Sequence, residues 1–139
     1  MEDTKDDLII IGIDPGNNLG IAVYTIDAVT LEILKIDNIM LVLNNYIPDE
    51  GDGYDKMNGK LKHLEKSILA IMDCYKPRAI GLETSFLNMK FPKAVIQLSQ
   101  YLAIIESTTK KLIPDVKIFR YSPKYIKSKV DAGGDAKKN

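Results

Sequence analysis

Two acidic residues stand where short apolar runs of this sequence end. Asp14 follows the run "LIIIGI" at 8–13, and Glu83 follows "AIGL" at 79–82. A carboxylate that ends a buried strand costs free energy unless a cation or a hydrogen-bond donor compensates its charge. Two such carboxylates at neighbouring strand ends supply the hard oxygen ligands that Mg²⁺ prefers. A pair of these cations ~4 Å apart can activate water and stabilise a leaving oxygen, so the two acids suggest phosphodiester cleavage.

Each acid also has a simpler interpretation, and the residues alone leave both interpretations open. The stretch "PGNN" at 15–18 has turn chemistry, because glycine and asparagine tolerate positive φ, and Asp14 can cap that turn with its side chain. Glu83 can be an ordinary surface acid at a strand end. Its role as a metal ligand gains support once it is considered together with Asp14.

The elements that must position these acids follow from hydrophobic periodicity. The run at 8–14 is too apolar to alternate, which predicts a central strand that is buried on both faces. Apolar residues recur at helical spacing from Asn58 to Tyr75, and Pro92 suits the first turn of a second helix. The predicted elements are strands at 8–14, 20–26, 31–43, 79–83 and 116–119 and helices at 58–75, 92–110 and 122–129.

The order of these elements, β-β-β-α-β-α-β-α, predicts the fold class. Three hairpin-connected strands followed by alternating helices and strands indicate an α/β fold with a mixed five-stranded sheet. We expect three antiparallel strands, then two parallel strands, with helices on both faces. In such a sheet the first and fourth strands can lie side by side, which brings Asp14 and Glu83 together.

Length and composition limit the possible classes of protein. The 139 residues fit one domain at 8–139, preceded by an acidic, disordered leader at 1–7 that does not have the pattern of a signal peptide. No stretch approaches the ~20 apolar residues of a membrane span. The single cysteine, Cys74, is consistent with a reducing compartment, so we expect a cytoplasmic location.

The charge of the chain is unevenly distributed. A net charge of zero argues weakly against a nucleic-acid partner. Residues 117–139, however, carry seven basic and two acidic side chains, which suits docking on phosphates. A solvated helix end explains such a lysine-rich segment almost as well.

Four short motifs resemble the RuvC-type Holliday junction resolvases, which have the RNase H-like nuclease fold. They are "IGIDPG" at 11–16, "IGLETSF" at 80–86, "SPKYIKSKV" at 122–130 and "GGDAKK" at 133–138. The resemblance runs from about residue 8 to the end of the chain, and the order and spacing of the motifs are more specific than any one of them. It implies an RNase H-like sheet and a crossover junction endodeoxyribonuclease.

The resemblance also implies roles for individual residues. Asp14 and Glu83 match the first two metal-binding acids of the family, and Phe86 matches the aromatic residue that stacks on bases opened at the junction centre. Lys127 and Lys138 match two lysines near the scissile phosphate, and Lys138 would stabilise the developing charge. The basic residues that we expect to contact DNA are Lys90, Lys93, Lys124, Lys127 and Lys138.

The cofactor and the partners follow from the same resemblance. The implied cofactor is Mg²⁺ or Mn²⁺, with two ions in each active site. The implied substrate is a four-way or otherwise branched DNA. Because a symmetric junction needs two paired cuts, we also expect a two-fold homodimer.

The sequence departs from the family pattern at its end. Family members carry two further acids, or an acid and a histidine, on a helix beyond the "GGDAKK" stretch, whereas this sequence ends at Asn139. Asp131 and Asp135 lie in or beside a glycine-rich turn and do not match these ligands. The expectation is therefore a C-terminally truncated domain that lacks part of its active site and cuts a junction weakly or not at all. Alternative functions are a non-cleaving module that binds branched DNA and a RuvC-like nuclease that acts on structured RNA.

Overall fold

The structure of the chain is a computed structural model that describes residues 7–43, 53–84 and 90–121. Within these ranges it has five strands and two helices, in the predicted order. The elements are β1 (Leu8–Asp14), β2 (Asn18–Ile26), β3 (Ile33–Val42), α1 (Gly53–Tyr75), β4 (Ala79–Glu83), α2 (Pro92–Leu112) and β5 (Lys117–Tyr121).

The strands form one mixed sheet in the order β3-β2-β1-β4-β5. Strands β1, β2 and β3 are antiparallel neighbours, because tight connections join them, and β4 lies parallel to β1 and β5 parallel to β4. The predicted sheet of three antiparallel and two parallel strands is therefore confirmed. The third predicted helix, at 122–129, lies outside the described residues.

Both described helices share one hydrophobic core with one face of the sheet. On the helices Leu64, Ile68 and Ile105 are fully buried, and they meet Ile11 and Ile80 of the two central parallel strands. The helices contact each other over this face. Neither described helix is long and apolar enough to span a membrane.

The opposite face of β1 is less covered than the sequence predicts. Ile11 and Ile13 point into the core, whereas Ile10 is half-buried and Asp14 is exposed on the other side of the strand. Both faces of β1 carry apolar residues, which is why the run at 8–13 does not alternate. Among the described residues, helices pack on only one of these faces. The carboxylate of Asp14 thus stands on the open face of the sheet.

The observed helices are longer than the predicted ones. Helix α1 begins at Gly53, five residues before the predicted start at Asn58, and α2 continues to Leu112. The first turn of α1 consists mostly of polar residues, so it carries no apolar periodicity by which it can be recognised. At the other end, the Ile113 N–H donates to the Thr109 carbonyl at 2.8 Å and closes α2.

Candidate active site

Asp14 and Glu83 end two adjacent parallel strands at the same edge of the sheet. The register of β1 and β4 pairs Ile13 with Leu82, so the residues that follow them stand at the same level. Ile13 and Leu82 are buried against the helices. Because side chains alternate along a strand, both acids belong to the open face. The predicted juxtaposition of the two strand ends is therefore confirmed.

The two carboxylates influence each other electrostatically. The pKa of Asp14 is raised above its ordinary value of 3.8, mainly because the group is partly buried and further because Glu83 carries the same charge. A bound cation would remove this repulsion and compensate the burial. The donor set consists of carboxylate oxygens, which fits a hard divalent cation such as Mg²⁺ or Mn²⁺.

Two carboxylates are fewer ligands than a divalent cation takes. Over 7–43, 53–84 and 90–121, no group of three or more histidine, cysteine, aspartate or glutamate side chains is arranged to hold a metal ion. Asp131 and Asp135 lie outside these ranges, as do the predicted DNA-binding residues Phe86, Lys124, Lys127 and Lys138. Within the described ranges the candidate site therefore holds two carboxylates, Asp14 and Glu83.

The turn after Asp14 is held by the ends of neighbouring strands. Pro15 is buried, and the main-chain carbonyl of Asn17 accepts a hydrogen bond of 2.7 Å from the Leu43 N–H. Across β2, Asp14 is paired with Gly20, whose added Cβ would come within 4.0 Å of the Asp14 Cβ. The absent side chain at Gly20 leaves the flank of the carboxylate open.

The segment after Glu83 is held by β5. Thr84 donates twice to the main-chain carbonyl of Tyr121, from its N–H at 2.7 Å and from its hydroxyl at 3.0 Å. These bonds fix the direction in which the chain leaves β4. Glu83 is therefore anchored on both sides, by the parallel ladder before it and by Thr84 after it.

Tyr121 is a site residue that the sequence prediction did not include. Its pKa is raised, first by burial and then by the charges of Glu83 and Asp14, with a smaller effect of Tyr24. The phenol thus remains protonated beside the acid pair. The sequence holds no local signal for this position, because only the pairing of Glu83 with Tyr121 brings the ring to the site.

A groove of about 480 Å³ runs along the open face next to Asp14. Its floor is formed by small residues of adjacent strands, Gly12 and Ala22, which face each other in the β1–β2 ladder. The Tyr24 and Tyr121 side chains stand at its sides. This groove is therefore a partly apolar trough whose lining includes Asp14.

A pair of glycine variants tests the packing of this trough. An added Cβ at Gly81 would lie 3.3 Å from Cε1 of Tyr121, whereas at Gly12 nothing lies within 4 Å. Neither glycine has a positive φ, so the backbone accepts alanine at both positions. We expect Gly81→Ala to lower the free energy of unfolding by about 1 kcal/mol. The matched Gly12→Ala should change it by less than about 0.5 kcal/mol. Urea denaturation measures both, and equal losses would show that Tyr121 does not pack on Gly81.

Two of the predicted DNA-binding lysines lie within the described residues. Lys90 precedes α2 and Lys93 belongs to its first turn, and both side chains are exposed. Because they are exposed, both side chains can contact phosphates. Their role in DNA binding stays a prediction.

The matches to known proteins cover nearly the whole chain. The family model described as crossover junction endodeoxyribonuclease RuvC matches residues 10–139. A curated relative of that name from Ehrlichia chaffeensis is 30% identical over 131 residues, which is 93% of this chain and 74% of the relative.

Solved structures share the fold at low sequence identity. The Thermus thermophilus RuvC structure superposes with a TM-score of 0.63 at 16% identity and covers 95% of this chain and 74% of that one. T. thermophilus RuvC in complex with a Holliday junction substrate gives 0.60 at 13% identity, with 90% and 71% covered. The predicted RNase H-like fold class is thereby confirmed. On the family match and these structures together, the chain belongs to the crossover junction endodeoxyribonuclease RuvC family.

Proposed function

We propose that this chain is a divalent-metal-dependent endonuclease that resolves four-way (Holliday) DNA junctions by phosphodiester hydrolysis. The observation that carries the proposal is the position of Asp14 and Glu83 at the ends of adjacent parallel strands. Family membership supports the same reaction, and the T. thermophilus relative is seen in complex with a Holliday junction substrate.

In this mechanism Asp14 and Glu83 would hold Mg²⁺ or Mn²⁺, with two ions in the complete site. Ions held there would supply the Lewis acidity that activates a water molecule and offsets charge on the leaving oxygen. Lys138 donates to the phosphate oxygens as negative charge develops on them, and Lys127 holds the scissile phosphate in place. The raised pKa of Tyr121 keeps its phenol protonated beside the pair, at the edge of the site.

The proposed DNA contacts separate into two kinds. Lys90, Lys93 and Lys124 contact backbone phosphates, which fixes the position of the DNA without reading its sequence. Phe86 stacks on bases that are unpaired at the junction centre, and such stacking is the contact that favours a junction over a duplex. The basic segment 117–139 supplies the attraction of longer range.

A second candidate function is a module that binds branched DNA without cutting it. The observation that favours it is that the described ranges contain no group of three or more histidine, cysteine, aspartate or glutamate side chains that could hold a metal ion. The two functions share the DNA-binding surface and differ only in the chemistry at the acid pair.

Incubation with a labelled four-way DNA junction distinguishes these functions. The endonuclease would give paired, symmetric nicks near the crossover with Mg²⁺ or Mn²⁺, and none in a duplex of the same sequence or with the Asp14→Asn variant. Tight binding without nicks would assign the non-cleaving module. Equal nicking of junction and duplex would contradict the proposal, and preference for a four-way RNA junction would redirect it to structured RNA.

The proposed enzyme acts as a two-fold dimer, because a junction needs two coordinated cuts. Exposed apolar side chains at the start of α2, Phe91 and Ile96, are 69% and 61% accessible and are suited to this contact. Met89, their neighbour in sequence, lies outside the described residues.

A charged residue at this contact should separate the dimer. We expect the wild-type chain to sediment as two 15.6 kDa subunits and Ile96→Glu to sediment as one, since burying an unpaired carboxylate is costly. Leu69→Glu on α1, at a side chain that is 45% exposed, is the matched control and should remain dimeric. A dimeric Ile96→Glu variant would place the interface elsewhere.

A further inference from the structure

A chain of hydrogen bonds connects the turn after Asp14 to helix α2. Gln97 Nε2 donates to the Tyr101 hydroxyl at 2.9 Å, and this hydroxyl donates to Asn17 Oδ1 at 2.8 Å. Gln97 and Tyr101 are one helical turn apart on α2, whereas Asn17 is the last residue before β2. These hydrogen bonds therefore join helix α2 to the turn that follows Asp14.

Tyr101 is suited to hold this link because it is fully buried. Its ring belongs to the core, with 0% of the residue accessible. Burial raises its pKa, while the hydrogen bond from Gln97 lowers it to a smaller extent. The phenol is thus a neutral donor in a site of low dielectric constant, where a hydrogen bond is strong and an unpaired polar group is costly.

Asn17 is held from two sides. Its side chain accepts from Tyr101 on α2, and its main-chain carbonyl accepts from the Leu43 N–H at the end of β3. The residues between β1 and β2 have no partner in the strand ladder. Asn17 therefore ties the turn that directly follows Asp14 to α2 and to the end of β3.

We propose that Tyr101 is a positioning residue for the acid pair: through Asn17 it holds the turn after Asp14 so that the carboxylate faces Glu83. The inference rests on the proposed function in one respect, because it assumes that Asp14 and Glu83 bind a divalent cation. Partners that orient metal ligands without touching the metal commonly change metal affinity by about 10- to 100-fold.

The ring and the hydroxyl of Tyr101 can be tested separately. Tyr101→Phe keeps the buried ring and removes the hydroxyl that donates to Asn17 and accepts from Gln97. Thr109→Val on the same helix is the matched control, because Thr109 is also 0% accessible and its hydroxyl donates only to the Ile105 carbonyl of α2, at 2.7 Å. Both variants lose one buried hydroxyl, but only the first loses a contact to the turn.

Calorimetric titration with Mn²⁺ measures the effect on the acid pair. We expect the dissociation constant to rise about 10-fold in Tyr101→Phe and to stay within about two-fold of wild type in Thr109→Val. Asp14→Asn should bind no Mn²⁺ at the pair. Equal weakening in Tyr101→Phe and Thr109→Val would overturn the positioning role, because a general loss of packing would then explain both.

Hydrogen exchange tests the role of Tyr101 without any metal. The Leu43 amide reports on the turn directly, since it donates to Asn17. We expect its exchange to accelerate about 10-fold in Tyr101→Phe relative to Thr109→Val at matched global stability, a loss comparable to one hydrogen bond. Unchanged exchange would overturn the inference. If Asp14→Asn still binds Mn²⁺ like wild type, the cation site of the proposed function is wrong, and Leu43 exchange alone then decides the role of Tyr101.

Discussion

Replacing Asp14 by asparagine should abolish the stabilisation that a divalent cation gives to the folded chain. With Mn²⁺ at 100 times its dissociation constant, the free energy of unfolding of the wild-type chain should rise by about 2.7 kcal/mol. In Asp14→Asn the rise should be close to zero, because Glu83 alone offers one carboxylate. Urea denaturation with Mn²⁺ and with EDTA measures the difference.

Without the cation, Asp14→Asn should no longer be at a disadvantage in its free energy of unfolding. The pKa of Asp14 is raised from 3.8 in the folded chain, so the folded state holds this proton more tightly than the unfolded state does. Stability is therefore lost as the pH rises through the interval above 3.8, and the loss persists at pH 7. Asparagine carries no charge and escapes this loss. We expect Asp14→Asn in EDTA to be at least as stable as wild type at pH 7, with the advantage disappearing below pH 3.8.

An exposed aspartate provides the control for both results. Asp73 lies on α1, and its carboxylate is 2.9 Å from Lys76 Nζ in a surface ion pair. Such pairs contribute at most about 1 kcal/mol, and Asp73→Asn should retain the full stabilisation by Mn²⁺. Equal stabilisation of wild type and Asp14→Asn would show that the cation binds elsewhere.

Phe86→Ala should weaken binding to a four-way junction far more than binding to duplex DNA. Stacking on an unpaired base contributes about 1–3 kcal/mol, which corresponds to roughly 5- to 150-fold in affinity. An intact duplex offers no unpaired base, so its affinity should hardly change. Titration of both substrates with the variant, in Ca²⁺ to prevent cutting, measures the ratio.

Lys127→Ala is the comparison for this experiment. A lysine that contacts a phosphate should contribute to both substrates, and its loss should reduce the slope of log affinity against log salt by about one unit. Phe86→Ala should leave that slope unchanged. Equal losses on junction and duplex for Phe86→Ala would identify Phe86 as a residue that stabilises the fold.

The sheet and the acid pair follow from local patterns of the sequence. The runs at 8–13 and 79–82 are short, apolar and followed at once by an acid, so the strands and their carboxyl ends are readable. Carboxyl ends of adjacent parallel strands meet at one edge of a sheet. The order of elements then predicts that Asp14 and Glu83 meet, as they do in the β1–β4 register.

The residues around the acid pair are set by strand register and helix rotation, which the sequence does not reveal. Tyr121 reaches the acids only through the register of β5 against β4. Tyr101 reaches Asn17 across 84 positions, which depends on the rotation of α2 about its axis. The apolar spacing of α2 identifies Tyr101 as a core residue, but it carries no sign that the hydroxyl has a partner in the turn.

The most direct test of the central claim is to locate the cation on the junction complex. Fe²⁺ occupies sites of oxygen ligands in place of Mg²⁺, and with ascorbate and peroxide it releases radicals that cut nearby chains. If Asp14 and Glu83 hold the cation at the junction centre, the polypeptide will be cut near residues 14 and 83 and the DNA near the crossover. Asp14→Asn will remove both sets of cuts. Cuts spread along the DNA arms, or cuts that persist in Asp14→Asn, would contradict a cation site formed by this pair.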